Sequence, residues 1–588
     1  MIPKIFKKLS YFIKINGVFL TILLIGALLR TAYLAQVPPG LNHDELHAVL
    51  NAQSVAKTGR LIPGMATGII GSPSGDYLSG IFGEIGSLLL IPFVYLFGIS
   101  TVAIKLPYIL SHMGIILLVY LISKKLIGQK VALIAAFLMA INPWSIHFAR
   151  AAYESNFGFL FYFFSIYLFM VLKGRKIFWS LPFLLGGFLS YFATKVQLIP
   201  LGFLGIFITK SFNPRKSVKP ALYLTGFLIL FTFIYLLFLR IHPAGERIKE
   251  LGSLTSVSSV VNSKRLISLD SPLSTIFVNK VSESLRERIS AFLGGLSPAQ
   301  IFLEGQKGDT EALTIPDHGF MYLIDGLFIV LGFAYLSRKN LKALYIILIL
   351  AVISLLPNLI NLHGTTHALR SGLLYPSLVI LSASGINFVL DIVKRKKTKK
   401  LIKISILLLY LVSLANFAYL YFLRTPVEKF DGWYTYERVL ARYISLHNEL
   451  YPEEPLVVVT PFLKDASYEY LYYTGKYDSK EEIVRANNSL VTKNYKFDNV
   501  LFTENCDYIG DSATLIKDVR SKDCKLETDL NIASPEDAGT RYLIQNDKVC
   551  SQYPKSKYPL IKKFDDIIPE EKSREDFCVF WVTNPNQI

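Results

Sequence analysis

Cysteine is scarce in this chain, with only four among 588 residues and none in its apolar stretches. The four residues, Cys506, Cys524, Cys550 and Cys578, all lie in the last hydrophilic segment. Because no CxxC pair is present, the pattern argues against a structural zinc site. An even number confined to one hydrophilic segment is typical of disulfides formed in an oxidising compartment. We expect nearest neighbours to pair, Cys506 with Cys524 and Cys550 with Cys578. Other pairings, or four buried thiols, are the alternatives.

Charged residues are nearly absent from the middle of the apolar stretches. The chain nevertheless has 62 Lys and Arg against 44 Asp and Glu, a net charge of +18 that would suit nucleic-acid binding. The basic residues are grouped in short loops such as "KKLIGQK", "KGRK", "SRKNLK" and "KRKKTKK". Short basic loops between apolar segments set membrane topology under the positive-inside rule. We therefore expect no nucleic-acid partner.

Apolar sequence, by contrast, is abundant: 52% of the residues are hydrophobic and the mean hydropathy is +0.41. The apolar residues form blocks close to the length of about twenty that crosses a bilayer as a helix. We predict a multi-pass α-helical protein of the cell membrane with a cytoplasmic N-terminus. The eleven predicted spans are 17–36, 101–123, 131–149, 157–172, 177–194, 196–210, 219–240, 319–337, 341–360, 372–393 and 401–422.

Two apolar segments could mislead this assignment. No small-residue cleavage site follows the first one, so we interpret it as an uncleaved helix rather than a signal peptide. The segment 77–98, "YLSGIFGEIGSLLLIPFVYLFG", would reverse the sidedness of every later loop if it crossed the membrane. We therefore predict an interfacial helix on the outer leaflet for it.

The odd number of spans divides the chain into two predicted domains. Residues 1–423 would form the membrane domain, and residues 424–588 an extracytoplasmic α/β domain. In the second domain "EPLVVVTPF", "RYLIQN" and "CVFWVTN" predict strands, and "SYEYLYYTGKY" predicts an aromatic helix or turn. No catalytic motif is recognisable in the α/β domain. The outer loops of the membrane domain are 37–100, 150–156, 241–318 and 361–371.

Carboxylates and cations gather in these outer loops, whereas the opposite loops are only basic. The motif "GLNHDE" places Asp44 and Glu45 directly after the first span. In the second loop Arg150 and Glu154 are four residues apart, so we expect both side chains on one helix face. The acids could instead simply open a helix, where they favour the amino-terminal dipole. Arg150 could likewise be an anchor that reaches the lipid headgroups.

Further candidates lie in the later outer segments. Lys195 is at the tip of a hairpin between two predicted spans, where it could bind substrate or simply terminate a span. The segment "NLHGTTHALRSGLLYP" offers His367 and Arg370, three residues apart, which could also hold a lipid headgroup structurally. The long fourth loop adds Asp317 and His318.

The combination of these motifs resembles the GT-C superfamily of polyprenyl-phosphate-dependent glycosyltransferases. It is most similar to bacterial members related to protein O-mannosyltransferases and aminoarabinose transferases. The motifs that carry the resemblance are "GLNHDE" after the first span, "NPWSIHFAR" closing the third and "THALRSGLLYP" opening a late one. They extend over about the first 425 residues. No WWDYG motif is present, and "DGWYTYE" at 431–437 is a poor match to it, which argues against transfer of a whole oligosaccharide to asparagine.

The resemblance implies a division of roles at the outer face. The first-loop acids of the family correspond to Asp44 and Glu45, and its second-loop residues to Arg150 and Glu154. The cation that holds the donor phosphate corresponds to Arg370, helped by His367. The implied function is transfer of a sugar from a polyprenyl-phosphate donor to an extracytoplasmic protein, lipid or glycan acceptor.

A mechanism follows from these roles. Asp44 would act as general base on the acceptor, and Glu45 would orient the acceptor or tune its neighbour. Arg370, with His367 or Arg150, would neutralise the leaving phosphate. One base in a direct displacement implies inversion at the anomeric carbon.

The sequence leaves three further hypotheses open. Asp44, Glu45 and Glu154 could supply oxygen ligands for Mg²⁺ or Mn²⁺, although the cations could suffice and no metal is expected to be required. A transporter or flippase of lipid-linked sugar is an alternative, disfavoured by the lack of mid-span charges and of an inverted repeat. A non-catalytic protein that binds lipid-linked sugar is the other alternative.

Overall fold

The structure is a computed structural model, and it describes residues 2–62, 85–241, 255–269, 271–306, 311–359, 368–429, 431–505, 513–521, 528–533, 539–553 and 561–584. Six helices of this described part are long and apolar enough to cross a membrane, and a bent pair would make a seventh. The chain is therefore a polytopic helical membrane protein, as predicted. The six are Thr101–Leu126, Ala193–Phe212, Lys216–Arg240, Leu341–Leu359, Leu374–Ile392 and Lys396–Glu428, and the bent pair is Gln129–Ile141 with Pro143–Arg150.

The prediction of eleven spans is not confirmed. Three of the predicted spans form helices of at most 17 residues, namely Ser155–Val171, Leu181–Ser190 and Leu323–Lys339, at or below the lower limit of about 17 needed for a transmembrane helix. The first predicted span lies in the helix Ile2–Thr31, of which only Gly17–Thr31 is counted as a shorter apolar helix. The apolar pattern predicted a break at "ATKVQ", where the chain forms a 3-10 helix, Ala193–Gln197. It did not predict that the helix before this break would have only ten residues.

The helices of the described residues are numbered here in chain order. Up to residue 428 they are α1 (Ile2–Thr31), α2 (His43–Thr58), α3 (Gly86–Phe97), α4 (Thr101–Leu126), α5 (Gln129–Ile141), α6 (Pro143–Arg150), α7 (Ser155–Val171), α8 (Leu181–Ser190), α9 (Leu198–Phe212), α10 (Pro214–Ile241), α11 (Thr255–Leu266), α12 (Pro272–Phe277), α13 (Lys280–Gly294), α14 (Pro298–Phe302), α15 (Leu323–Lys339), α16 (Leu341–Leu355), α17 (Leu374–Ile392), α18 (Lys396–Ala418) and α19 (Thr425–Glu428). The later helices are α20 (Thr435–Leu450), α21 (Leu463–Tyr473), α22 (Lys480–Thr492) and α23 (Arg574–Trp581).

The helix predicted to lie at the interface is represented by α3. It has 12 residues, too few to cross a bilayer, and it contains Pro92. Residues 63–84, which include the start of the predicted segment, lie outside the described residues.

Helices α15 and α17 pack closely because small residues face each other. A Cβ atom at Gly332 would collide with the carbonyl oxygen of Leu381, and one at Gly385 with that of Phe328. Such small-residue contacts let membrane helices approach closely when lipid supplies no hydrophobic driving force.

A buried polar network joins the same two helices to α18. One oxygen of Asp325 accepts hydrogen bonds from the Tyr410 hydroxyl at 2.6 Å and the Ser382 hydroxyl at 2.7 Å. The other accepts from the backbone N–H of Tyr322 at 3.2 Å. Because unsatisfied polar groups are costly in an apolar environment, this network fixes α18 against α15 and α17.

The bend between α5 and α6 is specified by "INPW". Asn142 leaves the helical region, and its side chain accepts a hydrogen bond from the Ser145 N–H at 3.0 Å. Pro143 occupies the first helical position, where its missing N–H costs nothing. The two helices meet at 51°, which directs α6 toward the first loop.

The last part of the chain is built on a mixed sheet. Its strands in the described residues are β1 (Leu456–Val459), β2 (Lys496–Phe497), β3 (Val500–Thr503), β4 (Thr514–Asp518), β5 (Leu530–Ala533), β6 (Thr540–Gln545) and β7 (Val582–Thr583). Their order is β2-β3-β1-β4-β6-β5-β7. The central β1 is parallel to β3 and β4, whereas the remaining pairs are antiparallel.

Three of the four predicted elements in this part are confirmed. "EPLVVVTPF" contains β1, "SYEYLYYTGKY" belongs largely to α21, and "RYLIQN" belongs to β6. The strand predicted at "CVFWVTN" is wrong, because most of it is the end of α23 and only Val582–Thr583 pair as a strand. The physical reason precedes the apolar run: the Ser573 hydroxyl caps the helix by accepting from the Asp576 N–H at 3.1 Å.

A disulfide connects Cys550 and Cys578, with the two Cα atoms 5.2 Å apart. The predicted nearest-neighbour pairing is therefore confirmed for this pair. Cys506 and Cys524 lie outside the described residues.

We predict that this disulfide stabilises the sheet. The bridge closes a loop with a sequence separation of 28 residues, so the double change Cys550→Ser and Cys578→Ser should lower the free energy of unfolding by about 2–4 kcal/mol. Hydrogen exchange of peptides from β5 and β6, measured on the full chain in detergent, gives the change. The neighbouring exposed residue supplies a control, Ser551→Ala, expected to leave exchange unaltered. Equal exchange in all three proteins would contradict the prediction.

Candidate active site

The acidic pair of the first loop lies at the amino-terminal turn of α2. Asn42 caps this helix: its side chain accepts from the Glu45 N–H at 3.0 Å, and its own N–H donates to a Glu45 oxygen at 2.9 Å. This reciprocal capping box explains why "NHDE" begins a helix. It also directs Glu45 inward, whereas Asp44 is exposed.

Glu45 is completely buried in an ion pair with Lys105 of α4, which is only 1% exposed. The same carboxylate oxygen accepts a hydrogen bond from the Ala152 N–H at 2.6 Å. Three segments therefore meet at one carboxylate: the first loop, α4 and the turn between α6 and α7. Glu45, expected to orient the acceptor or tune Asp44, is thus enclosed by protein on all sides.

Arg150, the last residue of α6, is also fully buried. Its guanidinium donates to the carbonyl oxygens of Val37 at 3.0 Å, Tyr33 at 2.9 Å and Arg30 at 3.2 Å. One face lies 5.2 Å from the ring centroid of Phe422. Arg150 thus holds the chain between α1 and the first loop, and its donors are directed at backbone carbonyls.

The expectation that Arg150 and Glu154 share one helix face is wrong. Helix α6 ends at Arg150 and the next residue, Ala151, is extended, so Glu154 precedes a different helix. The Glu154 side chain packs against Gly86 at the start of α3. The two residues flank the turn that bonds Glu45, with their side chains on different neighbours.

Lys195 lies in the 3-10 helix between α8 and α9 and is 9% exposed. Its ammonium group is 5.4 Å from the ring centroid of Phe188 and 6.0 Å from that of Tyr235. Such cation–π contacts stabilise a largely buried lysine. The aromatic surroundings fit a structural role better than a phosphate contact.

Arg370 is partly exposed, in the turn before α17. The residues that follow place this turn beside α6 and α7, because Tyr375 stacks on Trp144 at 5.0 Å and Gly372 packs against Phe159. No ion-pair partner of Arg370 is found in the described part of the chain. His367 lies outside the described residues.

The region after the membrane helices covers the first loop. Arg438 of α20 donates to the Pro39 carbonyl at 2.6 Å and to Glu570 at 2.7 Å. A Cβ atom at Gly40 would collide with the carbonyl oxygen of Trp433, so only glycine permits this close approach. The ring of Tyr434 lies 3.7 Å from that of His43.

Two histidines of α2 share one carboxylate of α21. The imidazoles of His43 and His47 lie 3.5 and 3.9 Å from Asp465. Burial, with the positive charges of Lys464 and His43, lowers the pKa of His47 to about 3. Burial also lowers the pKa of His43, although Asp465 opposes the change. Both rings are therefore neutral near pH 7.

Glu469, one turn further along α21, is 1% exposed. Neither of its oxygens has a hydrogen-bond partner among the described residues. Burial, followed by the negative charges of Glu437, Asp465 and Glu45, raises the pKa of Glu469 well above its usual value. Helix α21 thus places a buried carboxyl group with a raised pKa close to the first loop.

Asp465 also lines a cavity of about 550 Å³ beyond the carboxyl ends of β1 and β3. Lys464, Lys493 and Glu504 line it with the aromatic rings of Phe462 and Tyr495. Ligands of open α/β sheets commonly bind outside the carboxyl ends of parallel strands. The cavity is accordingly a candidate binding site next to the two histidines that flank the acidic pair, His43 and His47.

The proposed ligand set for a divalent metal is not assembled. No group of three metal-binding side chains occurs within the described ranges. Glu45 forms the ion pair with Lys105, so its carboxylate charge is already compensated.

Two buried cations in the apolar helices were not among the predicted site residues. Lys105 pairs with Glu45, and Arg30 donates to the Ala140 carbonyl at 2.8 Å and to the Ser145 hydroxyl at 2.6 Å. Their signal was present as single charges within apolar blocks, which mark functional or structural partners in membrane helices.

Comparison with known proteins gives a match to one family model. Residues 85–238 match the family model described as dolichyl-phosphate-mannose-protein mannosyltransferase. This segment contains Lys105, Arg150, Glu154 and Lys195. The resemblance to polyprenyl-phosphate-dependent glycosyltransferases inferred from the motifs is thereby confirmed. No curated protein sequence matches the chain.

Three solved structures are similar at low identity. The oligosaccharyltransferase AglB from Archaeoglobus fulgidus, in complex with an inhibitory peptide and a dolichol-phosphate, has a TM-score of 0.47 and 13% identity, covering 85% of this chain and 69% of its own. ArnT from Cupriavidus metallidurans bound to undecaprenyl phosphate has a TM-score of 0.43 and 12% identity, covering 91% and 98%. The Archaeoglobus fulgidus oligosaccharyltransferase in complex with zinc and sulfate has a TM-score of 0.43 and 13% identity, covering 90% and 73%.

The two acids of the first loop should differ sharply in their effect on stability. Glu45→Gln leaves Lys105 buried without its counter-charge and should destabilise the protein by about 3–5 kcal/mol. Asp44→Asn, at an exposed position, should change the free energy of unfolding by less than about 0.5 kcal/mol. Thermal unfolding of the purified variants in detergent measures both effects. Adding Lys105→Met to Glu45→Gln should restore much of the loss; equal stability of the two single variants would refute the assignment.

We expect His47 to make the protein acid-sensitive. The unfolded imidazole has a pKa near 6.5 and the folded one about 3, so the unfolded state binds more protons between these values. The contribution is complete above about pH 6.5 and is lost progressively as the pH falls. Melting temperatures at about pH 7 and pH 5 should therefore differ less in His47→Gln than in the wild type. Parallel pH profiles would contradict this.

Proposed function

We propose that the chain is a glycosyltransferase that moves a sugar from a polyprenyl-phosphate donor to an acceptor at the outer face of the membrane, with Asp44 as general base. The observation that supports this proposal most directly is the difference in burial between the two acids of the first loop. Glu45 is buried against Lys105, whereas Asp44, one residue away, is exposed at the start of a capped helix. A carboxylate held rigidly and open to solvent suits a base that must reach an acceptor proton.

The surroundings of Asp44 support this role. Burial, together with the negative charges of Asp44 and Glu45, raises the pKa of Tyr153 well above its usual value, so both acids act on the turn after α6. Arg150 holds the chain leading into the first loop by its bonds to Val37 and Tyr33. Its proposed role is therefore to position the loop, and we assign binding of the donor phosphate to Arg370 with His367.

The reaction balances with these groups alone. The acceptor oxygen forms a bond to the anomeric carbon while the bond from that carbon to the phosphate oxygen breaks. The acceptor proton passes to Asp44, and polyprenyl phosphate leaves with the bonding electrons. Arg370 compensates the charge on the leaving phosphate, an electrostatic effect of the kind that lowers such barriers. A single displacement inverts the configuration of the sugar.

The acceptor is proposed to approach from the region after the membrane helices, which we place outside the cell with the first loop. The cavity beside Asp465 supports this direction, since Asp465 contacts His43 and His47, which lie on either side of Asp44 in sequence. The match of residues 85–238 to a family described as using dolichyl-phosphate-mannose supports the donor class.

Asp44→Asn tests the proposal directly. In an assay with radiolabelled polyprenyl-phosphate sugar and membrane acceptors, transfer should fall by at least about 100-fold while donor binding is retained, because only proton removal is lost. Asp317→Asn is the matched control: this outer-loop acid is 73% exposed and paired with Arg424, and its loss should leave transfer unchanged.

The outcomes separate the candidate functions. Equal transfer by Asp44→Asn and the wild type would exclude Asp44 as the base. Donor binding without transfer in the wild type, across protein, lipid and glycan acceptors, would favour a non-catalytic lipid-sugar-binding protein.

A further inference from the structure

A second cavity lies beside the middle of α1, lined by residues of this helix from Val18 to Ile25. It has a volume of about 660 Å³ and lies between α1, α5, α17 and α18. Most of its walls are apolar. They include Val18, Ile25, Leu133, Phe137, Leu390 and Leu407.

One rim of this cavity is positively charged. Lys130, Lys399 and Lys403 line it, and Asp391 is the acid among the lining residues. Lys399 lies 3.9 Å from Asp391, which also accepts a hydrogen bond from Asn387 at 2.8 Å. Lys130 and Lys403 form no ion pair within the described residues, so the rim keeps two uncompensated positive charges.

The rim coincides with the basic loops "KKLIGQK" and "KRKKTKK". The positive-inside rule assigns such loops to the cytoplasmic side. The cavity is also reachable from the bilayer, because only 11% of the apolar window of Lys396–Glu428 is buried against other parts of the chain. Most of α18 therefore faces lipid, and an acyl chain can reach the cavity directly.

We propose that this cavity binds an anionic phospholipid of the cytoplasmic leaflet. The phosphate would contact Lys130 and Lys403, and one acyl chain would follow the apolar wall formed by α1 and α5. Basic pockets between membrane helices on the cytoplasmic side recognise anionic headgroups in this way. The apolar wall adds affinity in proportion to the acyl surface it covers. A zwitterionic lipid fits the wall but carries no net charge for the rim.

This site is independent of the proposed glycosyl transfer. It is lined by Val18, Thr21, Ile22 and Ile25 of α1, and the residues proposed for glycosyl transfer, Asp44 and Arg370, are not among its lining residues. The bound lipid would fill the space between the bundle and the part of α18 from Lys399 to Tyr410, and Tyr410 of the Asp325 network lines the cavity there.

Native mass spectrometry of the full chain in detergent tests the proposal. The wild type, titrated with phosphatidylglycerol or phosphatidylcholine, should bind the anionic lipid at least about tenfold more tightly. Each lysine near a membrane surface contributes on the order of fivefold, so Lys130→Gln with Lys403→Gln should weaken phosphatidylglycerol binding by about 25-fold. Binding of phosphatidylcholine should be unchanged. Inorganic phosphate in excess should not displace the lipid, since it has no acyl chain.

A matched control variant distinguishes lipid binding in this cavity from binding by the general positive charge of the surface. Lys397→Gln with Lys400→Gln removes the same charge from the same basic segment, at exposed residues that do not line the cavity. This pair should change lipid binding by less than about twofold. Leu407→Trp, which fills the cavity from a lipid-facing position, should weaken binding of both lipids. The proposal is overturned if the control pair acts as strongly as the rim pair, or if the wild type does not distinguish the two lipids.

Discussion

The ion pair between Glu45 and Lys105 is the contact on which the outer half of the molecule depends. Charges in a water-excluded interior are tolerated only when each meets its counter-charge and its remaining hydrogen-bonding capacity is used. Glu45 meets both conditions by accepting from Lys105, Ala152 and Asn42. One carboxylate thereby fixes the position of the first loop on α4 and on the turn before α7. Its neighbour Asp44 is held at the surface as a geometric consequence.

Two arginines extend this principle along the first helix. Arg30 donates to the α5–α6 junction, while Arg150 donates back to the chain that follows α1. Each guanidinium has enough donors to satisfy several carbonyl oxygens that helix ends leave without partners. The helices are thus joined by cations placed where regular hydrogen bonding stops. This arrangement joins α1, the α5–α6 junction and the chain leading to Asp44 without requiring a continuous long helix.

Much of this organisation is predictable from sequence, and the failures have physical causes. The acidic pair, the basic loops and β1 follow from local patterns that structure preserves. Arg150 and Glu154 have helical spacing, but the helix ends at Arg150, and the next helix begins only at Ser155. The apolar end of α23 looks like a strand because capping at Ser573, outside the run, decides its conformation. Lys105 could be noticed as an isolated charge, but its partner lies 60 residues away and requires the fold.

The contact between Arg438 and Pro39 joins residues 399 positions apart. At ordinary translation rates of 5–20 residues per second, the first loop emerges roughly 20 to 80 s before α20 exists to cover it. During that interval the helices of the nascent chain insert while the first loop is not yet covered by α20. The contact between the first loop and α20 therefore forms only after residue 438 has been synthesised, and a chain terminated before that residue would leave the loop uncovered.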